Sequence, residues 1–198
     1  MVSEVTIVNK ALFHLGEPRL TSIFPPEKKK SARFYNENYV QVREECLADF
    51  PWSFACEKAT PNLLASPPTS EYLYVYQLPT SPKVLKIRRL LDGTDLSIDL
   101  KQPYKKRGDL LHTNVTGGFY VEYTKDVEDE NEFTPEFIEA FALKLALVGC
   151  FYLTKDRQRE NTLYQMYTMK LMDARDQDIE GTQPRPIRPT AWNKVGRV

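Results

Sequence analysis

The feature that most constrains this chain is a change of hydrophobic period, from helical to strand-like near Phe54 and back to helical near Thr134. Before the first switch, Val5, Val8, Ala11, Leu12 and Leu15 recur at roughly three- and four-residue spacing. Ser3 can cap that helix, and Gly16 and Pro18 close it. Lys28 to Asp49 then predicts a second, longer helix with Tyr35, Tyr39, Val42, Cys46 and Phe50 along one stripe, ended by Pro51.

From Phe54 to Asp126 the chain breaks into short runs rich in Tyr, Val, Leu and Ile between prolines and glycines, the pattern of an antiparallel β region. The runs are Phe54 to Ala59, Tyr72 to Gln77, Val84 to Leu91, Leu96 to Leu100, Asp109 to Thr113 and Phe119 to Lys125. Asp92-Gly93 and Gly117-Gly118 read as hairpin turns. Asp126 to Glu132, with five acids in seven residues, reads as a solvated connection. Thr134-Pro135-Glu136 then supplies an N-cap, a proline at the first helical position and an early acid.

The third helix runs to about Leu153 and is apolar on nearly every face, as in the central helix of a bundle. It contains Glu139 and Lys144 and is barely long enough for a bilayer, so it reads as buried in protein, with no membrane partner. Asp156 can cap a fourth helix whose core stripe is Leu163, Met166, Tyr167, Lys170, Leu171 and Ala174, beneath a charged outer face.

The expected fold class is therefore α+β. Residues 1–53 and 133–180 form one discontinuous helical bundle, 54–132 an antiparallel β insertion, and 181–198 an extended C-terminal arm.

Composition narrows the chemistry. With 27 acidic and 27 basic residues the net charge is zero, so no global field recruits nucleic acid or an anionic membrane. Cys46, Cys56 and Cys150 match neither a disulfide framework nor a CxxC metal site, which points to a reduced, cytoplasmic place of synthesis. The N-terminus has no continuous apolar region of a signal peptide, and without one the Asn114-Val115-Thr116 sequon reads as chance. His14 and His112 are the only histidines, and no GxSxG, Walker A or GxGxxG pattern occurs. No catalytic residue, cofactor site or metal site is expected.

Local patches remain. Lys28, Lys29, Lys30 and Arg33 crowd the start of the second helix, either as a solvated basic face or as half of a subunit-interface ion pair. The complementary half would come from the Asp126 to Glu132 run, notably Asp129 and Glu130. Tyr104, Lys105, Lys106 and Arg107, with Lys101, form a basic-aromatic loop that suits solvent, phosphates or an acidic partner. Tyr72, Tyr74 and Tyr76 at strand spacing place three rings on one face, core or interface. In Gly181 to Val198, three prolines, Trp192 and the cations Arg185, Arg188, Lys194 and Arg197 stand with no acid, as in an arm that orders against a partner.

Three segments in order carry a resemblance. They are Asn9-Lys10-Ala11-Leu12-Phe13-His14-Leu15-Gly16-Glu17, the helix end Phe50-Pro51-Trp52-Ser53-Phe54-Ala55, and Val75-Tyr76-Gln77-Leu78-Pro79 leading into Pro82-Lys83-Val84-Leu85. With the Thr134-Pro135-Glu136-Phe137 opening and the Trp192 region, the chain resembles the tail tubular protein A family of phage head-to-tail adaptors. Ser53 stands where that family most often has Asn, and Leu90 to Gly118 matches nothing distinctive.

The resemblance implies a structural virion protein at the head-tail junction, in a twelve-fold ring between the portal protein and the distal tail or nozzle protein. DNA would pass through the ring's channel without sequence-specific binding. On this reading Arg185, Arg188, Trp192, Lys194 and Arg197 dock on the portal, Lys28 to Arg33 with Asp129 and Glu130 join subunits, and Tyr104 to Arg107 meet the distal tail. The alternative is a nucleic-acid-binding module that uses the 101–107 loop and the basic tail.

Overall fold

In the computed structural model, which describes residues 2–64 and 71–182, local capping chemistry starts and stops the helices. α1 (Glu4–Leu15) begins where the Ser3 hydroxyl accepts the Thr6 N–H at 3.3 Å, and ends at Gly16 as C-cap. It buries Ile7, Val8, Ala11, Leu12 and Leu15. α2 (Lys30–Asp49) starts two residues later than the pattern suggests. Its N-cap, Lys29, makes no side-chain capping bond, because an ammonium has no acceptor to offer.

α3 (Pro135–Thr154) opens on Thr134, whose hydroxyl accepts the Phe137 N–H. It is long and apolar enough to cross a membrane by composition. Here α1, α2 and α4 (Arg157–Thr182) pack around it, and Phe137, Phe141, Leu145 and Ala146 are wholly buried. A Cβ at Gly149 would fall 2.7 Å from the Tyr35 hydroxyl, so only glycine lets α2 and α3 approach there.

The β region holds β1 (Cys56–Ala59), β2 (Asn62–Leu63), β3 (Tyr74–Gln77), β4 (Val84–Asp92), β5 (Tyr104–Arg107), β6 (Leu110–Thr113) and β7 (Phe119–Lys125). They form a three-stranded sheet ordered β1-β7-β4 and a four-stranded sheet ordered β2-β3-β6-β5, antiparallel throughout. The protein is α+β. Tyr76, Leu78 and Leu111 from one sheet side share a core cluster with Val84, Ile87, Leu90, Phe119, Val121 and Tyr123 from the other, so the sheets pack face to face. A separate, larger cluster draws on residues between Ile7 and Ala55 and between Val127 and Ala174.

Several expectations are corrected here. Leu96 to Leu100 is not a strand; it makes one isolated bridge, Leu91 to Asp99, inside a wide loop. The Asp92 carboxylate takes the N–H groups of Thr94 and Asp95, which turns Asp92-Gly93 into the entry of that loop instead of a tight hairpin. Gly117-Gly118 is no hairpin either, since β6 and β7, which flank it, belong to different sheets. The tight turn is Gly108-Asp109, between Arg107 and its register partner Leu110, with Gly108 at φ 59°. The basic segment expected as a loop is therefore strand β5. Of the three tyrosines at strand spacing only Tyr74 and Tyr76 lie in β3, and the Tyr72 ring sits 6.4 Å from that of His112. In α4 the inward stripe is Leu163, Tyr167, Leu171 and Ala174, while Met166 and Lys170 face outward.

A polar seam fixes the β layer to the bundle. α2 has no cation in its last turn, so its C-terminal carbonyls are met from outside. The Trp52 indole N–H donates to Cys46 O at 3.0 Å. Arg88 Nη2 donates to the carbonyls of Leu47 (3.2 Å), Ala48 (3.0 Å) and Phe50 (2.8 Å), with its Nε on Thr124 Oγ1 at 2.7 Å. The β4 register shifts between Ile87 and Arg89, and this bulge turns Arg88 toward the helix end. Lys86 Nζ reaches Ala48 O, and Lys83 Nζ holds both Glu44 oxygens at 2.7 and 2.8 Å. Deepest lies the Arg43–Asp126 pair, each side chain 7% exposed, with Nη2 at 3.1 Å from both carboxylate oxygens.

Candidate functional site

Among the described residues no group of three or more His, Cys, Asp or Glu side chains is gathered so as to hold a metal ion. His112 is buried in β6, and its Nδ1 meets no hydrogen-bond partner among the described residues. His14 lines an open groove of about 470 Å³ between α1 and α3 with Lys10, Phe13 and Glu139, where Lys10 and Glu139 pair with each other. Burial pushes the Cys46 thiol up to about 12, so it is held protonated and unreactive at neutral pH.

The residues expected at a subunit interface divide into two kinds. Lys29 is committed inside the chain, pairing with Glu27 at 3.1 Å and donating to Arg19 O at 2.9 Å. Glu27 in turn accepts the Thr21 hydroxyl and the Thr21 and Ser22 N–H groups, and these bonds, the Thr21 hydroxyl first, lower its carboxyl to about 2 together with Lys29. Glu130 accepts the Tyr39 hydroxyl at 3.3 Å, and burial raises its carboxyl above the usual range. Asp129 caps the short 3-10 turn Glu130–Glu132. Lys28 and Arg33 are exposed and form no ion pair among the described residues. Lys30 donates to Tyr152 O at 2.9 Å and lies 4.1 Å above the Tyr152 ring.

The residues expected to meet a distal partner form the edge strand β5. Tyr104 and Lys106 turn inward, the hydroxyl to Ile87 O at 3.2 Å and the ammonium to Val84 O at 2.7 Å. Lys105 and Arg107 face out and share Glu71 at 3.5 and 3.4 Å. Such a strand is a charged, guarded edge that resists pairing with another chain. The arm residues Arg185, Arg188, Trp192, Lys194 and Arg197 lie outside the described residues.

What sequence reasoning missed is a corner where the start of α2, the end of α3 and the start of α4 converge. Phe34 and Tyr152 stack at 4.9 Å with an interplanar angle of 21°. Lys155, left-handed at the α3 C-cap, stands 5.1 Å from the Phe151 centroid and 5.8 Å from that of Tyr152. Arg157 lies 5.4 Å from Phe151. Phe151 and Tyr152 remain 44% and 43% exposed, and Phe151 lines an open groove of about 730 Å³ with Leu147, Arg157, Glu160 and Tyr164. The sequence signal was two adjacent aromatics followed by Lys155 and Arg157 at the end of an otherwise buried helix.

A second exposed apolar stripe runs along α4. Met166, Met169 and Met172 recur every three residues on its outer face, and with Met1 they are all the methionines in the chain. The outer face expected to be charged is thus partly apolar. No protein-family model and no curated protein matches the chain.

Proposed function

We propose that this chain is a structural subunit of a tailed-phage virion, a head-to-tail adaptor that forms a ring between portal and distal tail and leaves a channel for DNA. The observation that carries the reading is the Phe50-to-Ala55 junction on which the resemblance rests most specifically. Trp52 there is 3% exposed, caps α2 through Cys46 O and packs edge-on against Phe50 and Phe137. The resembling motif is therefore a joint that sets the β layer on the bundle, the kind of position where a family's shape is fixed. Exposed apolar residues on α3 and α4 support an assembling chain, since such surfaces mark interaction sites.

The reading assigns no catalytic step and no cofactor. The basic arm 181–198 docks on the portal, with Trp192 as anchor. Measuring the mass of the purified chain with its portal tests this: a stable complex carrying about twelve copies is expected, in the manner of closed cyclic assemblies. Deleting Gly181 to Val198 should abolish that complex. A chain that ignores the portal at physiological salt would overturn the reading. The nucleic-acid alternative is weakened by the inward aim of Tyr104 and Lys106 and the Glu71 pairing of Lys105 and Arg107. Salt-sensitive retention of DNA in filter binding would revive it.

A further inference from the structure

The cation-aromatic corner has three positive side chains on π faces and no carboxylate among the described residues that pairs with Lys155 or Arg157. At the other end of α3, roughly 30 Å away for a helix of this length, Glu128, Asp129, Glu132 and Glu136 are exposed. Asp129 is spent on its own turn; Glu128, Glu132 and Glu136 form no ion pair among the described residues. Helix-dipole preference accounts for an acid such as Glu136 early in α3 and a cation such as Lys155 at its end. It does not account for Lys30 on α2 or Glu128 on the connection. The chain as a whole carries equal numbers of acids and bases, so neither patch reflects a net excess of one sign. Asp156 and Glu160 lie beside the corner, but neither forms an ion pair with Lys155 or Arg157 among the described residues.

We infer that the corner of Lys30, Phe151, Tyr152, Lys155 and Arg157 receives the acidic end of α3, Glu128, Glu132 and Glu136, from a second copy of this chain. The inference deepens the adaptor reading and rests on it for its setting, but the contact is defined by charge and shape alone. Nucleic acid is a poorer occupant. One face of Tyr152 is covered by Phe34 and Lys30 lies over the ring, while Lys155 and Arg157 crowd Phe151, which leaves little open face for a base to stack on. A carboxylate, by contrast, completes each cation that a ring only half satisfies. Because the two patches lie at opposite ends of one helix, the contact is head-to-tail and each protomer can engage two neighbours.

The test uses full-length chain and two variants, K30E/K155E/R157E and E128K/E132K/E136K, in sedimentation velocity at low and high salt. Wild type should associate at low salt and dissociate as salt screens the contact. Each variant alone, with both patches now of one sign, should associate at least about tenfold more weakly. Their equimolar mixture should associate again, because each contact between unlike variants joins opposite charges. A wild-type chain that stays monomeric, a variant that assembles as wild type does, or a folded mixture that fails to assemble overturns the inference. Should the triple variant not fold, Lys155→Glu alone, at an exposed C-cap, carries the same comparison. Portal binding measured on the same samples separates the two ideas. Binding without rescue in the mixture sinks this contact and leaves the adaptor reading, whereas rescue without binding does the reverse.

Discussion

The polar seam under the β layer and the corner at the end of α3 are built from the same residue types and are used in opposite ways. In the seam, Arg43, Lys83, Lys86 and Arg88 all meet oxygens of their own chain, two of them on carboxylates and two on helix-end carbonyls. At the corner, Lys155 and Arg157 meet rings and no carboxylate among the described residues, and the rings stay nearly half exposed. Cations that are satisfied internally serve the fold. Cations dressed only by aromatics are available to a partner.

That contrast breaks if the seam proves expendable. Trp52→Ala should cost about 3–5 kcal/mol by opening a cavity among Phe50, Phe54 and Phe137, read as a fall in denaturant midpoint. An unchanged midpoint would mean the junction does not organise the core. Asp126→Ala should cost a similar 3–5 kcal/mol, because it leaves the Arg43 charge buried without its partner. The double change Arg43→Met with Asp126→Leu should recover most of that loss, which a calorimetric series would reveal. Next in size, Arg88→Met should cost about 1.5–3 kcal/mol through the loss of charged bonds to α2 carbonyls. Hydrogen exchange at the end of α2 should rise with it.

Which of these features could be read beforehand follows from how local their physics is. Ser3, Gly16 and Thr134-Pro135 act on their own backbone, and the helix ends fall where those residues place them. The β region was legible as a class but not in register. Leu96 to Leu100 alternates like a strand, yet the Asp92 and Asp95 side chains bind nearby N–H groups and hold a loop. Gly108-Asp109 is a turn signal that the neighbouring run of cations concealed by reading as a solvated loop. Arg88 and the corner were illegible for another reason: each depends on elements distant in sequence, 38 residues from Arg88 to Phe50 and 122 from Lys30 to Tyr152.

A smaller prediction concerns acid. The Glu27 carboxyl falls from 4.5 to about 2 in the folded chain, chiefly through its bonds to Thr21, so its contribution is full above pH 4.5 and disappears as pH drops toward 2. Glu27→Gln should flatten the melting profile across that window and leave neutral pH less affected than the seam variants do. Smallest of all should be the corner. Taken singly, Lys155→Ala and Arg157→Ala each lose one exposed cation-π contact and no bond to a carboxylate, so each should cost no more than about 0.5–1 kcal/mol. A large loss there would mean that the corner serves the fold as the seam does.

The central claim is that this chain is a ring-forming subunit, and electron-microscope images of the chain mixed with its portal address it most directly. The account predicts closed rings of one diameter seated on the portal, with an open centre and with the α3 ends of neighbouring copies in contact. Portals that stay bare while folded monomer remains in solution would contradict it.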